Sequence, residues 1–238
     1  MPTERLAWGL MRDALRDALA VVFPVDCAGC GAPDRSLCDG CSAALADSGW
    51  RRDLDGVPVY AALSYEGPVR RTILALKEEG RTDVARALSR PLAQLLSRVV
   101  SGLASPGGGG AAVGLITVPP SRQARHRRGF DPVSVLLARA GLRAGRVLRR
   151  VRGTQVQKGL SVAGREKNRV GTLGARRALS GEFFVLVDDV VTSGASAREV
   201  IRAVAEAGGV VLAVVALAAT QRLDGSENSR WAALTGSL

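Results

Sequence analysis

Apolar residues along the chain change their spacing several times, and each change marks an element. Leu6, Leu10, Met11, Ala14, Leu15, Ala18, Leu19 and Val22 recur at helical intervals, with Arg5, Arg12, Asp13, Arg16 and Asp17 off the stripe. That predicts an amphipathic helix ended by Pro24, a stripe that more often packs on its own protein than on a membrane. Val57 to Tyr65 reads as a strand, reached from Trp50 through a charged turn. Gly67-Pro68 then breaks the chain before helices over Val69 to Glu79 and Val84 to Leu103, and Ser105 to Gly110 is a flexible link. Val113 to Val118 is a buried strand stopped by Pro119-Pro120. A helix from about Val133 to Ala140, a short strand over Arg146 to Val151 and a long Gly-dotted loop from Gly153 to Gly181 follow. After a second buried strand, a helix runs from near Ala197 to Ala207 and ends at Gly208-Gly209. Val210 to Leu217 is a third strand, and Gln221 onward reads as a polar, frayed tail. Strand–helix alternation from Val113 to Leu217 predicts an α/β fold with a mostly parallel sheet and helices on both faces. The expected division is an N-terminal helix over 1–23, a cysteine module over 24–50, the α/β domain over 51–221 and a tail over 222–238.

The stretch from Phe184 to Ser196 organises this pattern. An apolar run fit for a strand buried on both faces leads to Asp188-Asp189 and then to Thr192-Ser193-Gly194-Ala195-Ser196. Ser196 and Glu199 have capping-box spacing, which makes Ser196 the expected helix N-cap. Main-chain N–H groups, hydroxyls and a helix amino end would converge on one point, suited to a phosphate. Adjacent carboxylates suit sugar hydroxyls or magnesium. A buried strand whose acids merely cap a turn is the plainer alternative.

Cys27-x-x-Cys30 and Cys38-x-x-Cys41 form two pairs seven residues apart. Two such turns close a tetrahedral shell of four thiolates, the usual structural zinc arrangement. Redox thiols and a metal-free remnant are the alternatives. A module this small needs a metal to stay folded.

Charge is concentrated. The chain is +11 overall, yet Arg122 to Arg177 holds 16 Lys/Arg against 2 acids, so the remainder is slightly acidic. Anionic partners are expected at that segment. Within it, Ser121 to Arg128 reads as a compact arginine loop between a strand and a helix. Ser121, Arg122, Arg125 and Arg128 are candidates to hold a pyrophosphate, since guanidinium forks match phosphate oxygens. A solvated loop or a nucleic-acid patch remains open, and His126 is given no special role. The longest apolar run, Val210 to Ala219, is well short of the ~20 residues a spanning helix needs, so no membrane span is expected. Acids among the first 23 residues spoil a signal peptide, leaving a cytoplasmic location as the default expectation.

The thirteen residues from Phe184 to Ser196 resemble the signature of the type I phosphoribosyltransferase fold. The resemblance implies phosphoribosyl pyrophosphate with magnesium as the ligand, Asp188 and Asp189 on the ribose hydroxyls, and Thr192 to Ser196 around the 5′-phosphate. Val118-Pro119, the later Arg128-Gly129-Phe130, Leu76-Lys77 before Gly80 and the four cysteines are similar to the ComF branch of that fold. By that resemblance Pro119 to Gly129 is the pyrophosphate loop, and Gln157, Arg165 and Asn168 belong to a mobile loop that closes over the substrate. The chain departs from the branch at Glu78, at Asp131-Pro132 and at Thr192-Ser193.

Such a site could bind the phosphosugar with or without transferring it. A nucleobase acceptor needs a stacking surface, and aromatics are only 4% of the chain. Relatives in the ComF branch are associated with DNA uptake in natural competence, which the resemblance extends to competence machinery as a partner. The readings carried forward are a ComF-like phosphosugar binder, an active transferase making a nucleotide from a base or amine, and a single-stranded DNA binder using the basic segment.

Overall fold

The computed structural model describes residues 25–46, 49–103, 112–151, 171–220 and 229–230. In order they form α1 (Asp39–Ala43), β1 (Trp50–Leu54), β2 (Val57–Ser64), α2 (Gly67–Glu78), a 3-10 turn (Thr82–Val84), α3 (Ala85–Leu103) and β3 (Val113–Thr117). Next come α4 (Arg122–Arg128), α5 (Pro132–Arg139), β4 (Leu148–Arg150), β5 (Leu173–Ala175), β6 (Phe183–Val191), α6 (Ala195–Glu206), β7 (Val210–Ala219) and β8 (Ser229–Arg230). The N-terminal helix expected over 1–23, the glycine link and the mobile-loop candidates Gln157, Arg165 and Asn168 lie outside the described residues.

Six strands make one sheet in the order β3-β6-β7-β2-β1-β8. β3, β6, β7 and β2 run parallel, and β1 and β8 extend the sheet antiparallel. The mixed α/β architecture with a mostly parallel sheet is therefore as expected. Burial on both faces explains why β7, and β6 as far as Val187, are apolar at every position. Val185, Val187, Ala213 and Val215 face a core built with α2, α3 and α5. Phe184, Leu186, Val214 and Ala216 face a second core built with α6, β1, β4 and β5.

Four local expectations change. The residues after Trp50 are strand β1, with Trp50 and Leu54 buried, and Asp55-Gly56 turn the hairpin to β2 with both φ angles positive. Two left-handed residues suit the right-handed twist of the paired strands, and Asp-Gly supplies them at low cost. The supposed arginine loop is helix α4. Part of the long basic loop is β5, paired with β4 as a small antiparallel ribbon. Ser229–Arg230, placed by pattern in a frayed tail, pair with Trp50 and Arg51.

Candidate functional site

Parallel strands end together, so the loops after β3, β6 and β2 share one edge of the sheet. β6 brings Asp188 and Asp189 to that edge, both half-buried. Pleating turns adjacent side chains to opposite faces, so Asp189 follows Val187 toward the helices of the first core. There Lys77, in the last turn of α2, lies 3.1 and 3.0 Å from its two carboxylate oxygens. Asp188 accepts the N–H of Asp189 at 2.9 Å. Burial, then the neighbouring Asp189 charge, pushes Asp188 up to about 7, against the pull of that N–H and of Lys77. Asp131, at the start of α5, adds to the repulsion. The residue pattern did not assign Lys77 or Asp131 to this site; no local spacing links them to a carboxylate more than fifty residues away.

Beyond the acids, α6 begins at Ala195 with Gly194 as its N-cap in the left-handed region, φ 79°. A Cβ there would sit 2.9 Å from Leu54 Cδ1, so only glycine fits. Ser196 is therefore inside the first turn and is not the cap. Glu199 is not its capping partner either. Its buried carboxylate accepts the N–H of Leu173 at 2.7 Å and of Gly171 at 3.2 Å, and pairs with Arg202 at 2.8 Å. Burial would raise Glu199, but Arg202 and the two N–H donors outweigh it and hold the group below its ordinary value. Capping-box spacing failed because Gly194 turns the chain two residues earlier than Ser196 could.

The carbonyls of the turn are held from behind. Arg52 of β1 donates to Thr192 O at 3.0 Å, and Arg198 of α6 donates to Ser193 O at 2.9 Å while pairing with Asp55 at 2.6 Å. In a trans peptide the C=O and the following N–H point in opposite directions. The N–H groups of Ser193 and Gly194 are thus turned away from the two arginines, and among the described residues no carbonyl receives them. Thr192 is exposed and Ser193 and Ser196 are half-buried, with Ser193 Oγ 3.4 Å from Ala195 N. The two N–H groups and the helix amino end together form a small nest whose polarity suits an anion.

The arginine segment is built differently. Ser121, expected to contact pyrophosphate, caps α4 by accepting the N–H of Ala124 at 3.0 Å. Gly129, φ 72°, closes the helix. Arg128 pairs with Glu78 of α2 at 2.8 Å, and Arg127 pairs with the same carboxylate at 2.7 Å. Arg122 and Arg125 are exposed. Arg125 opens onto a cleft of about 560 Å³ shared with Arg146, Arg176, Phe130 and Asp131. The cleft flanks β3 beside Thr117, which pairs with Val187, so it lies one strand over from the acid pair. The structure therefore brings Arg125 to a cavity, ties Arg128 to an acid and leaves Arg122 at the surface.

The cysteine turns come together as predicted. The sulfurs of Cys27, Cys30, Cys38 and Cys41 all lie within 4.8 Å of one another. Cys30 and Cys38 are 3.6 Å apart, close to the ~3.8 Å between sulfurs of a tetrahedron with ~2.3 Å metal bonds. Cys27 is drawn down to about 6: burial opposes this, but N–H donors from Cys38, Gly29 and Cys30 prevail. Cys41 is pushed up to about 12 by burial and then by the other sulfurs. Four thiolates cannot share so small a space without a cation. A Cβ on Gly29 would meet Cys41 Sγ at 2.6 Å, so the backbone is wrapped close around the cluster. An all-sulfur, four-ligand set of this size fits a metal such as zinc and leaves no open position.

Among the described residues no helix is long and apolar enough to cross a membrane. No protein-family model matches the chain. It is 27% identical over 228 residues to the DNA utilization protein YhgH of Salmonella typhimurium, covering 92% of this chain and 94% of that protein. The protein of the same name from Escherichia coli O6:H1 is 29% identical over 208 residues, covering 82% of this chain and 88% of its own length. A shorter similarity, 48% over 50 residues, is to the orotate phosphoribosyltransferase of Novosphingobium aromaticivorans; it spans 20% of this chain and 26% of that enzyme.

Proposed function

We propose that this chain is a ComF-like protein that binds phosphoribosyl pyrophosphate with magnesium at the carboxyl end of β6. The observation that carries the reading is the turn after Asp189, whose carbonyls are held by Arg52 and Arg198 while the N–H groups of Ser193 and Gly194 face the other way. In this reading that turn grips the 5′-phosphate. Asp188 and Asp189 accept the ribose hydroxyls, with Lys77 exchanging its hold on Asp189 as the sugar arrives. Magnesium, when bound, neutralises the diphosphate and so eases its departure. Arg125 and Arg122 supply positive charge on the leaving-group side, and Gln157, Arg165 and Asn168 belong to the segment that closes the site against water. The domain division and a structural zinc at the four cysteines belong to the same reading. The similarity to an orotate phosphoribosyltransferase and the full-length similarity to proteins named for DNA utilization both support it.

Calorimetry with the donor, with and without magnesium, tests it. Magnesium-dependent binding that disappears in Asp189→Asn is the expected result, and no binding in either condition overturns the reading. Pyrophosphate release across a panel of bases and amines then separates a transferase from a pure binder.

A second reading, single-stranded DNA binding linked to DNA uptake, draws on one further observation. Arg125, Arg146 and Arg176 line one cleft with Phe130, giving phosphate contacts next to an aromatic face. Affinity for an oligonucleotide should fall steeply with salt, and charge reversal at Arg125 and Arg146 should flatten the slope by about two counterions. An unchanged slope removes this cleft from the DNA reading.

A further inference from the structure

We infer that metal loading at the four cysteines sets the position of Lys77 against Asp189, with α2 as the strut between them and Arg71 and Arg81 as the coupling residues. The cysteine turns are fastened to one side of α2 and to the bend that follows it. Arg71, in the second turn of α2, donates to the carbonyl of Gly29, inside the first Cys-x-x-Cys turn. Arg81 donates to Asp26 O at 2.7 Å and to Ser36 O at 3.5 Å, while Asp83 pairs with it at 2.7 Å. These three carbonyls belong to the loops that carry Cys27, Cys30 and Cys38. On the helix side Gly29 packs close to Pro68, where a Cβ would come into ordinary contact at 3.4 Å. Ala28 and Leu37, from the same turns, pack on the core that holds Ile73 and Leu76.

The far end of the same helix belongs to the acid pair. Lys77 meets both oxygens of Asp189, and Glu78 meets Arg127 and Arg128 of α4. Between Arg71 and Lys77 lie fewer than two turns of regular helix whose inner face, Thr72, Ile73, Ala75 and Leu76, is buried. A short, well-packed helix moves as a rigid unit and does not absorb a shift at one end. The Gly29, Asp26 and Ser36 carbonyls can hold Arg71 and Arg81 in place only while the cysteine turns keep their shape. That shape depends on a cation, because four ligand sulfurs within 4.8 Å of one another are held together by the ion they share. Losing the metal therefore loosens the anchor, and α2 transmits the slack to Lys77. Coupling between two sites is reciprocal, so a ligand that orders Asp189 should in turn slow metal loss.

The test compares metal-loaded and chelator-stripped protein by hydrogen exchange, for wild type and for Arg71→Ala/Arg81→Ala, in the absence of donor. In wild type, stripping should raise exchange at least about fivefold in the last turn of α2 and in the turn after Asp189 as well as in the cysteine turns. In the double variant the cysteines are untouched, so the metal-dependent change should persist in residues 25–42 and vanish at residues 74–79 and 192–194. A metal response at the distant segments that survives in the variant, or is missing in wild type, overturns the inference. Should the double variant unfold, Arg71→Ala alone alters an exposed side chain, and the distant metal response should then shrink while that of residues 25–42 persists; an undiminished distant response overturns the inference. A second arm rests on the proposed donor site. Stripping should weaken magnesium-donor affinity about fivefold or more in wild type and leave the variant's affinity unchanged. Failure of loaded wild type to bind the donor would count against the donor reading, while the donor-free exchange experiment still decides the coupling.

Discussion

Two segments in this chain follow the carboxyl end of a parallel strand and gather positive character, and they do so by opposite means. After β6, the cationic features are main-chain N–H groups and a helix amino end, with carbonyls pinned by Arg52 and Arg198 and with Gly194 locked against Leu54. After β3, they are flexible side chains on a seven-residue helix, two of them already paired with Glu78. The first arrangement is fixed before any ligand arrives and loses little entropy on binding. The second must surrender rotamer freedom and, for Arg127 and Arg128, an existing ion pair. Specific recognition should therefore reside in the β6 turn, and general attraction in the α4 segment.

The sharpest way to break the contrast is Gly194→Ala. It imposes left-handed strain of about 1–2 kcal/mol and drives a methyl group into Leu54. Losing a charge-assisted hydrogen bond to the phosphate should weaken donor affinity about tenfold or more. Calorimetry reads the loss, and a melting curve shows whether the chain still folds. Wild-type affinity in a folded Gly194→Ala protein would mean that the turn is not where the phosphate sits.

Asp188 gives the next largest effect, and here binding and stability diverge. Its folded value near 7 lies above the ordinary carboxylate value of 3.8, because burial and Asp189 disfavour the charge. The folded protein therefore holds a proton that the unfolded chain releases. Stability is unaffected below about pH 4, falls as pH rises toward 7 and stays reduced above it, by on the order of a few kcal/mol. Asp188→Asn removes this cost, so its melting temperature should exceed wild type at pH 8 and match it at pH 4. Donor affinity should drop in the same variant. Equal melting at both pH values would mean that Asp188 titrates as an ordinary surface acid. Glu199 has the opposite sign: held low by Arg202 and two N–H donors, it stabilises above its unfolded value, and that contribution fades as pH falls through its depressed one.

How far these features could be read from residues alone depends on whether they are local. Apolar runs marked β6 and β7, because strands buried on both faces leave a continuous signature; β3 was legible from its apolar run too, although it is an edge strand with only Ile116 buried. The cysteine spacing announced its own cluster, and the order strand, acid pair and small-residue turn placed Asp188 to Ser196. What stayed hidden needed a distant partner. Ser196 matched a capping box, yet Gly194 started the helix sooner, and Glu199 was drawn to Leu173 and Gly171 across the fold. Arg122 to Arg128 lacked any apolar stripe because no residue of α4 is buried, so only the Ser121 cap and Gly129 stop could have marked it as helical. Lys77 and Glu78 are adjacent in sequence but serve different partners, one on β6 and one on α4, and no periodicity conveys that.

Glu78 also offers the finest adjustment of the contrast. Its carboxylate sits between Arg127 and Arg128 at 2.7 and 2.8 Å, so both guanidinium groups already hold an anion. The pair is partly exposed, with Glu78 at 39% and Arg127 at 63%, so solvent screening keeps its contribution to stability within about 0.5 kcal/mol. Glu78→Gln should therefore leave the melting temperature nearly unchanged. It removes a competing anion, so affinity for free pyrophosphate should rise about two- to threefold at low salt and by less as salt screens the arginines. Binding to the β6 turn, probed with ribose 5-phosphate, should not change, because no part of that nest touches Glu78. A gain for both ligands would show that the two segments act as one electrostatic unit. A gain for pyrophosphate alone would keep them separate, one built from main chain and the other from side chains.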